Sequence, residues 1–252
     1  MPSIPSYSRP PVREALIDIQ IDWLPAEVLP ELEQLQTQLL PKYPTKKTRY
    51  KWEGTFELRP ADFIAAPRAQ GAFGYLFEST DKKQIIQFRR DGFTFNQLKP
   101  DPNESWPGWE VVRTEAKRSW DMYVELTHPQ EVTRLGVRYI NQIVIRRDSI
   151  ELNECLTAAP GIPKSLPQKF DSFFSRVEFT IPEANAKAII TQVPASPLFP
   201  NSVTIILDID VLRQEHIPLN NQTIWTTLDQ FRDLKNTIFE ASLHQTTKDL
   251  FL

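Results

Sequence analysis

Two stretches of this chain alternate so regularly that they leave the fold little freedom. In VREALIDIQIDW (12–23), Ala15, Ile17, Ile19, Ile21 and Trp23 fall on one face, with Glu14, Leu16, Asp18, Gln20 and Asp22 on the other. In SVTIILDIDVL (202–212), Val203, Ile205, Leu207, Ile209 and Val211 alternate in the same way. Successive side chains of a strand point to opposite faces, so a period of two predicts a sheet with one buried and one polar face. Antiparallel sheets are the ones that tolerate a wet face.

The rest of the chain extends this pattern. Further strands are expected over 49–58, 71–79, 84–90, 93–98, 134–146, 175–181 and 187–193. Asp91-Gly92 reads as a two-residue hairpin loop that puts Phe88, Phe93 and Phe95 on one face and Gln87, Arg89, Thr94 and Asn96 on the other. A helix opens after Pro25, with Leu29, Leu32, Leu35 and Leu39 at spacings of three and four. A second runs from Trp109, with Val112, Ala116, Trp120 and Tyr123 as its stripe, and stops at His128-Pro129. Helices are also expected around 165–174 and over 223–243, the latter with Ile224, Leu228, Phe231, Ile238 and Ala241 inward. The fold class is therefore α+β: a mostly antiparallel curved sheet, or a partly closed barrel, with two long helices on one side. Residues 1–130 read as a β-α-β(4)-α half and 131–252 as a related β-α-β(3)-α half, the two sharing one core.

Composition narrows the function more than it names it. A chain of 252 residues, 40% hydrophobic, can bury a substantial core. It has no apolar run long enough for a transmembrane helix, and its N-terminus lacks the pattern of a secretory signal. Cys155, the one cysteine, has no partner for an internal disulfide, which suits a cytoplasmic protein. A net charge of −3 argues against a protein that coats nucleic acid. With 7 glycines there is no G-x-G-x-x-G or G-x-x-x-x-G-K-[ST] loop, so no cofactor is expected. His128, His216 and His244 stand apart, without metal-ligand spacing, and nothing pairs a nucleophile with a base, which points away from an enzyme.

Basic and aromatic residues supply the candidate binding surface. KKTRYKW (46–52) offers Lys46, Lys47, Arg49 and Trp52, and FRRDGFTF (88–95) adds Arg89 and Arg90. Rings interleaved with cations suit bases and phosphates. Arg89, on the polar face of its hairpin, is expected to be exposed, and Arg90 to lie along the core. In RLGVRYINQIVIRR (134–147), Arg138 interrupts a strand; it either pairs with the acidic face of 12–23 or meets a ligand. Asn141, on the apolar face of that strand, reads as a structural amide beside a β-bulge. Asp18, Asp22, Asp208 and Asp210 would make a metal site only by converging, and alternating acids on a strand are more often solvated.

Four segments, PPVREALIDI (10–19), RRDGFTFNQLKP (89–100), GWEVV (108–112) and RLGVRYINQI (134–143), resemble a sporadically distributed, uncharacterised family of bacterial proteins of this length. The resemblance fades beyond the last segment, apart from the C-terminal helix. It implies a cytoplasmic protein from mobile or defence-related neighbourhoods, and it carries no functional residues with it. The expectation is a non-enzymatic interaction protein, part of a bacterial defence or toxin–antitoxin-like pair, that presents a sheet face to a protein partner. The alternative is a nucleotide, nucleic-acid or small-ligand binding protein with a sheet-lined pocket. Neither reading involves a membrane.

Overall fold

The first alternating stretch becomes β1 (Val12–Gln20), whose Ala15, Ile17 and Ile19 are fully buried. The computed structural model describes residues 7–58, 63–147, 151–163, 165 and 172–252; over 51–58 and 63–70 it describes the backbone alone. Eight more strands follow: β2 (Thr45–Leu58), β3 (Phe63–Glu78), β4 (Gln84–Arg89), β5 (Gly92–Leu98), β6 (Glu131–Ile145), β7 (Ser175–Ile181), β8 (Ala186–Ala195) and β9 (Val203–Pro218). They form one antiparallel sheet in the order β2-β3-β4-β5-β1-β6-β9-β8-β7. The sheet is open, with β2 and β7 as its edges, and does not close into a barrel.

The order reads the same way outward from the central β1–β6 pair. On each side the last strand of a meander, β5 or β9, returns beside the central strand, and the earlier strands step away to an edge. The stretch after Pro25 forms a 3-10 turn and two short helices, α1 (Leu29–Gln34) and α2 (Gln36–Leu39), which bury Leu32, Leu35 and Leu39. The long helices are α3 (Trp109–Thr127) and α5 (Asn221–Ser242), the latter capped by the Asn220 side chain, which accepts from the Thr223 N–H at 3.0 Å. Two single turns, α4 (Leu152–Cys155) and α6 (Gln245–Lys248), complete the set. The helix expected around 165–174 falls mostly outside the described residues, and 172–174 are not helical.

Both long helices pack on the apolar face. Phe93 meets Trp120 of α3 at 6.0 Å between ring centroids, and Phe88 stacks on Tyr123 at 5.9 Å. Ile224, Leu228 and Phe231 of α5 are fully buried in the same cluster as Val137, Ile205 and Ile209. Replacing one of these large side chains with alanine would cost ~3–5 kcal/mol, from lost transfer energy and the cavity left behind. Among the described residues, no helix is long and apolar enough to cross a membrane.

The β4–β5 hairpin keeps the expected faces but not the expected loop. Arg89 pairs with Gly92, Phe88 with Phe93 and Ile86 with Phe95, so the two loop residues are Arg90 and Asp91. Gly92 belongs to the strand. Its φ is +138°, and a Cβ there would lie 2.2 Å from the Ile19 carbonyl oxygen. The glycine is thus needed for close approach to β1, not for the turn, and the pairing slides by one residue on each strand. Such a slide preserves which side chains face the core.

Candidate functional site

The polar face of the sheet carries its own counterions. Arg89 of β4 sits between two glycines across the ladder, Gly74 on β3 and Gly92 on β5. Its guanidinium reaches Asp18 of β1 at 3.0 Å and Asp91 at 2.8 Å, and it also bonds Thr94. Arg89 is 7% exposed, so the expected exposure of this residue is overturned: ion pairs that run along the sheet draw it down onto the polar face. Asp18 also holds Arg134 of β6, whose other arm reaches Asp210 of β9 at 3.1 Å. Burial pushes the Asp18 carboxyl up. The two arginines and the Thr94 hydroxyl outweigh that and hold it below the usual carboxylate range.

Arg138 pairs bidentately with Asp208 of β9, Nε to Oδ1 at 2.9 Å and Nη2 to Oδ2 at 2.5 Å. β1 is indeed its neighbour, but the β1 acids are already engaged: Asp18 by arginines and Glu14 by the Asn96 amide at 2.6 Å. Asp18 and Asp210 do converge, around a guanidinium. Among the described residues no group of three or more His, Cys, Asp or Glu is placed to hold a metal ion.

The residues of KKTRYKW lie on β2. Lys46 pairs with Glu33, and Lys47 with Glu78 at 3.3 Å. Arg49 stands one strand away from Arg89, across Gly74, and burial and that neighbouring charge lower its pKa. Arg90 donates to the Leu24 carbonyl at 2.8 Å and lies over the Trp23 ring at 5.4 Å. The side chain of Trp52 lies outside the described residues. Arg49 and Arg89 thus come together, while Lys46, Lys47, Arg90 and Arg138 each have a local partner.

Cations with no side-chain carboxylate partner among the described residues gather elsewhere, at the end of the sheet where β1 begins and β5 and β6 finish. A cavity of about 200 Å³ is lined there by Arg9, Arg13, Lys99 and Arg146, with Phe199 on its rim and no acidic residue among the described residues of its wall. A bulge builds it. Between Val12 and Glu14 the β1–β6 register shifts, so Val12 and Ala15 both face the core and Arg13 is the extra residue. A bulge re-aims a side chain in this way. Asn141 pairs with Val12 beside the bulge, and its amide donates to the Leu207 carbonyl at 3.0 Å.

The charge in this cavity is unspent. Lys99 is 4% exposed, and its ammonium has one bond, to the Pro10 carbonyl at 3.3 Å. Arg13 donates Nη2 to the Pro100 carbonyl at 2.9 Å, while Nη1 is buried without a partner. Arg9 donates Nη2 to a main-chain oxygen of Leu252 at 3.0 Å, and Arg146 lies 4.8 Å over the Phe199 ring. Burial lowers the pKa of Lys99, and the Arg13 charge lowers it further. The Glu104 and Asp101 charges work the other way, and Glu104 is bonded to Lys83 at 3.0 Å.

Arg9, Arg13, Lys99 and Arg146 are the functional candidates that sequence reasoning missed. Each reads singly as a surface charge, and only the adjacency of β5, β1 and β6 brings them together. The segments PPVREALIDI, RRDGFTFNQLKP and RLGVRYINQI hold those three neighbouring strands, and no local pattern in them encodes the adjacency. No family model and no curated protein matches this chain.

Proposed function

We propose that this protein binds a small phosphate-bearing ligand in the cavity lined by Arg9, Arg13, Lys99 and Arg146. The observation that carries the reading is the buried Lys99 beside a buried, unpartnered Arg13 nitrogen, with no carboxylate among the described residues of the wall. Two desolvated like charges cost stability unless an anion joins them. A phosphate presents several acceptors at once, which matches an arginine fork and a lysine point charge. Phe199, 39% exposed at the rim, offers a flat apolar surface to whatever the phosphate is attached to, which favours a nucleotide. The polar sheet face is less suited to an anion, since Arg89, Arg134 and Arg138 already hold carboxylates there.

Thermal unfolding in the presence of inorganic phosphate, pyrophosphate and adenosine mono- and triphosphate tests this. A ligand at about a hundred times its Kd adds ~2.7 kcal/mol of stability. Phosphate-bearing probes should raise the melting temperature, and chloride at equal ionic strength should not. Lys99→Met should abolish the shift while leaving the free protein as stable or more so. The reading fails if none of the probes acts, or if Lys99→Met responds as the natural chain does.

A further inference from the structure

A second cavity lies on the other side of the Pro10–Val12 segment, between the sheet and the long helices. Its volume is about 240 Å³. One unusual residue stands in its wall. The inward stripe of α5 runs Ile224, Leu228, Phe231, Lys235, Ile238 and Ser242, all buried, and Lys235 takes a place that the spacing would give to an apolar side chain. Lys235 is 7% exposed. Its ammonium lies 3.8 Å from the centroid of the Tyr139 ring, and among the described residues it has neither a hydrogen bond nor an ion pair.

The remaining wall is aromatic and held in place. Trp106 packs against Tyr139 at 6.1 Å, and Trp109 is fixed by its indole N–H, which donates to Asp229 at 2.8 Å. Among the described residues of the wall the one carboxylate, Glu240, accepts from the Tyr7 hydroxyl at 2.8 Å and pairs with Lys248 at 3.5 Å. Asn141 spends its amide N–H groups on the Leu207 and Tyr139 carbonyls. Burial pushes the Lys235 ammonium down to about 7, and the nearby Arg232 charge acts in the same direction, while Glu240 and Asp233 oppose both.

We infer that this cavity binds a small aromatic carboxylate, whose carboxylate takes Lys235 as its counterion and whose ring lies among Trp106, Trp109 and Tyr139. Arg232, also in the wall, pairs with Asp233 at 3.2 Å and lies over the Trp109 ring, so among the described residues Lys235 is the cation of the wall left without a counterion, and a monoanion supplies one. A purely apolar guest would fill the space and leave Lys235 unpaired. A cationic guest would meet both Lys235 and Arg232. The anion has a further effect: it favours the protonated amine, so at a pH above the free value binding draws in a proton.

Benzoate, salicylate and indole-3-acetate are the probes, measured by titration calorimetry at about pH 8 in two buffers of different ionisation enthalpy. At least one should bind, quench tryptophan fluorescence and take up close to one proton per molecule. The corresponding neutral amide should bind about tenfold or more weakly. Lys235→Met should lose binding and proton uptake together, Trp106→Ala should weaken binding, and Lys99→Met should leave it unchanged. The last variant keeps this site distinct from the phosphate cavity. The inference is overturned if none of the three acids binds, if the amide binds as well as the acid, or if Lys235→Met binds with unchanged affinity.

Discussion

Replacing Lys235 with methionine should change how stability depends on pH, and the size of the change follows from burial. The ammonium ionises near 10.5 in the unfolded chain and at about 7 in the folded one, where burial disfavours the charge. One pKa unit corresponds to ~1.4 kcal/mol, so the folded protein carries a penalty of about 4–5 kcal/mol wherever both states are protonated, which is below about pH 7. Between about pH 7 and 10.5 the unfolded chain binds more protons than the folded one, so stability rises with pH. Methionine keeps the unbranched shape without the charge, and the variant lacks this term. Urea unfolding at several pH values should therefore find Lys235→Met more stable by about 4 kcal/mol near pH 7 and by only about 1 kcal/mol near pH 10. Other lysines and tyrosines titrate in both proteins and cancel in the difference. Two parallel stability curves would refute the reasoning, because Lys235 would then be solvated or paired in the folded state.

Three further substitutions bear on the sheet. Asp18→Asn strips the carboxylate from the buried Arg89 and from Arg134, and should cost ~3–5 kcal/mol by denaturant unfolding near neutral pH. Because the Asp18 pKa is lowered on folding, its contribution is present above about pH 4 and fades as the pH falls through the folded value, so the natural chain and Asp18→Asn should converge in acid. Gly92→Ala forces a Cβ onto the Ile19 carbonyl at a positive φ, and a loss of at least about 1–3 kcal/mol is expected in thermal unfolding. Asn141→Leu leaves the bond to the Leu207 carbonyl unmade beside the bulge, at a cost of ~1–3 kcal/mol measured by urea titration.

The elements of the sheet were readable because a half-buried strand writes its environment into every second residue. Ala15, Ile17 and Ile19, and Ile205, Leu207 and Ile209, are all fully buried as their alternation predicts. A register error of one residue would turn every side chain over, but the slide at Gly92, one residue on each strand, totals two and so left Phe88, Phe93 and Phe95 in the core. The cavity at the sheet end was not readable. Its central residue, Arg13, owes its direction to a bulge, and a bulge is a property of the partner strand's register as much as of the residue itself. Arg89 misled for a related reason: it lies on a polar face, but its exposure depends on Asp18 and Asp91, whose distances no local pattern encodes. Lys235 did have a signature, as the one basic side chain on the apolar stripe of α5. A buried lysine on such a stripe differs from a solvated one only in what packs around it, and helix spacing alone does not carry that.

The position of β1 bears on how the chain reaches its native state. Among the described strands it comes earliest in the sequence and it lies in the interior of the sheet, yet its two neighbours are β5, at residues 92–98, and β6, at residues 131–145. Until β5 has been made, a strand with an apolar face and two open edges must wait without a ladder, and until β6 has been made one of those edges stays open. Pairings so distant along the chain pay loop-closure entropy before they return any contact energy, which makes folding slow. The meander β2-β3-β4-β5 has short connections and can zip locally, so it should form first and offer the free edge of β5 as the template on which β1 docks. The β1–β6 ladder would then close last, as the step that joins the two sides of the sheet and, with them, the segment that forms one wall of both cavities.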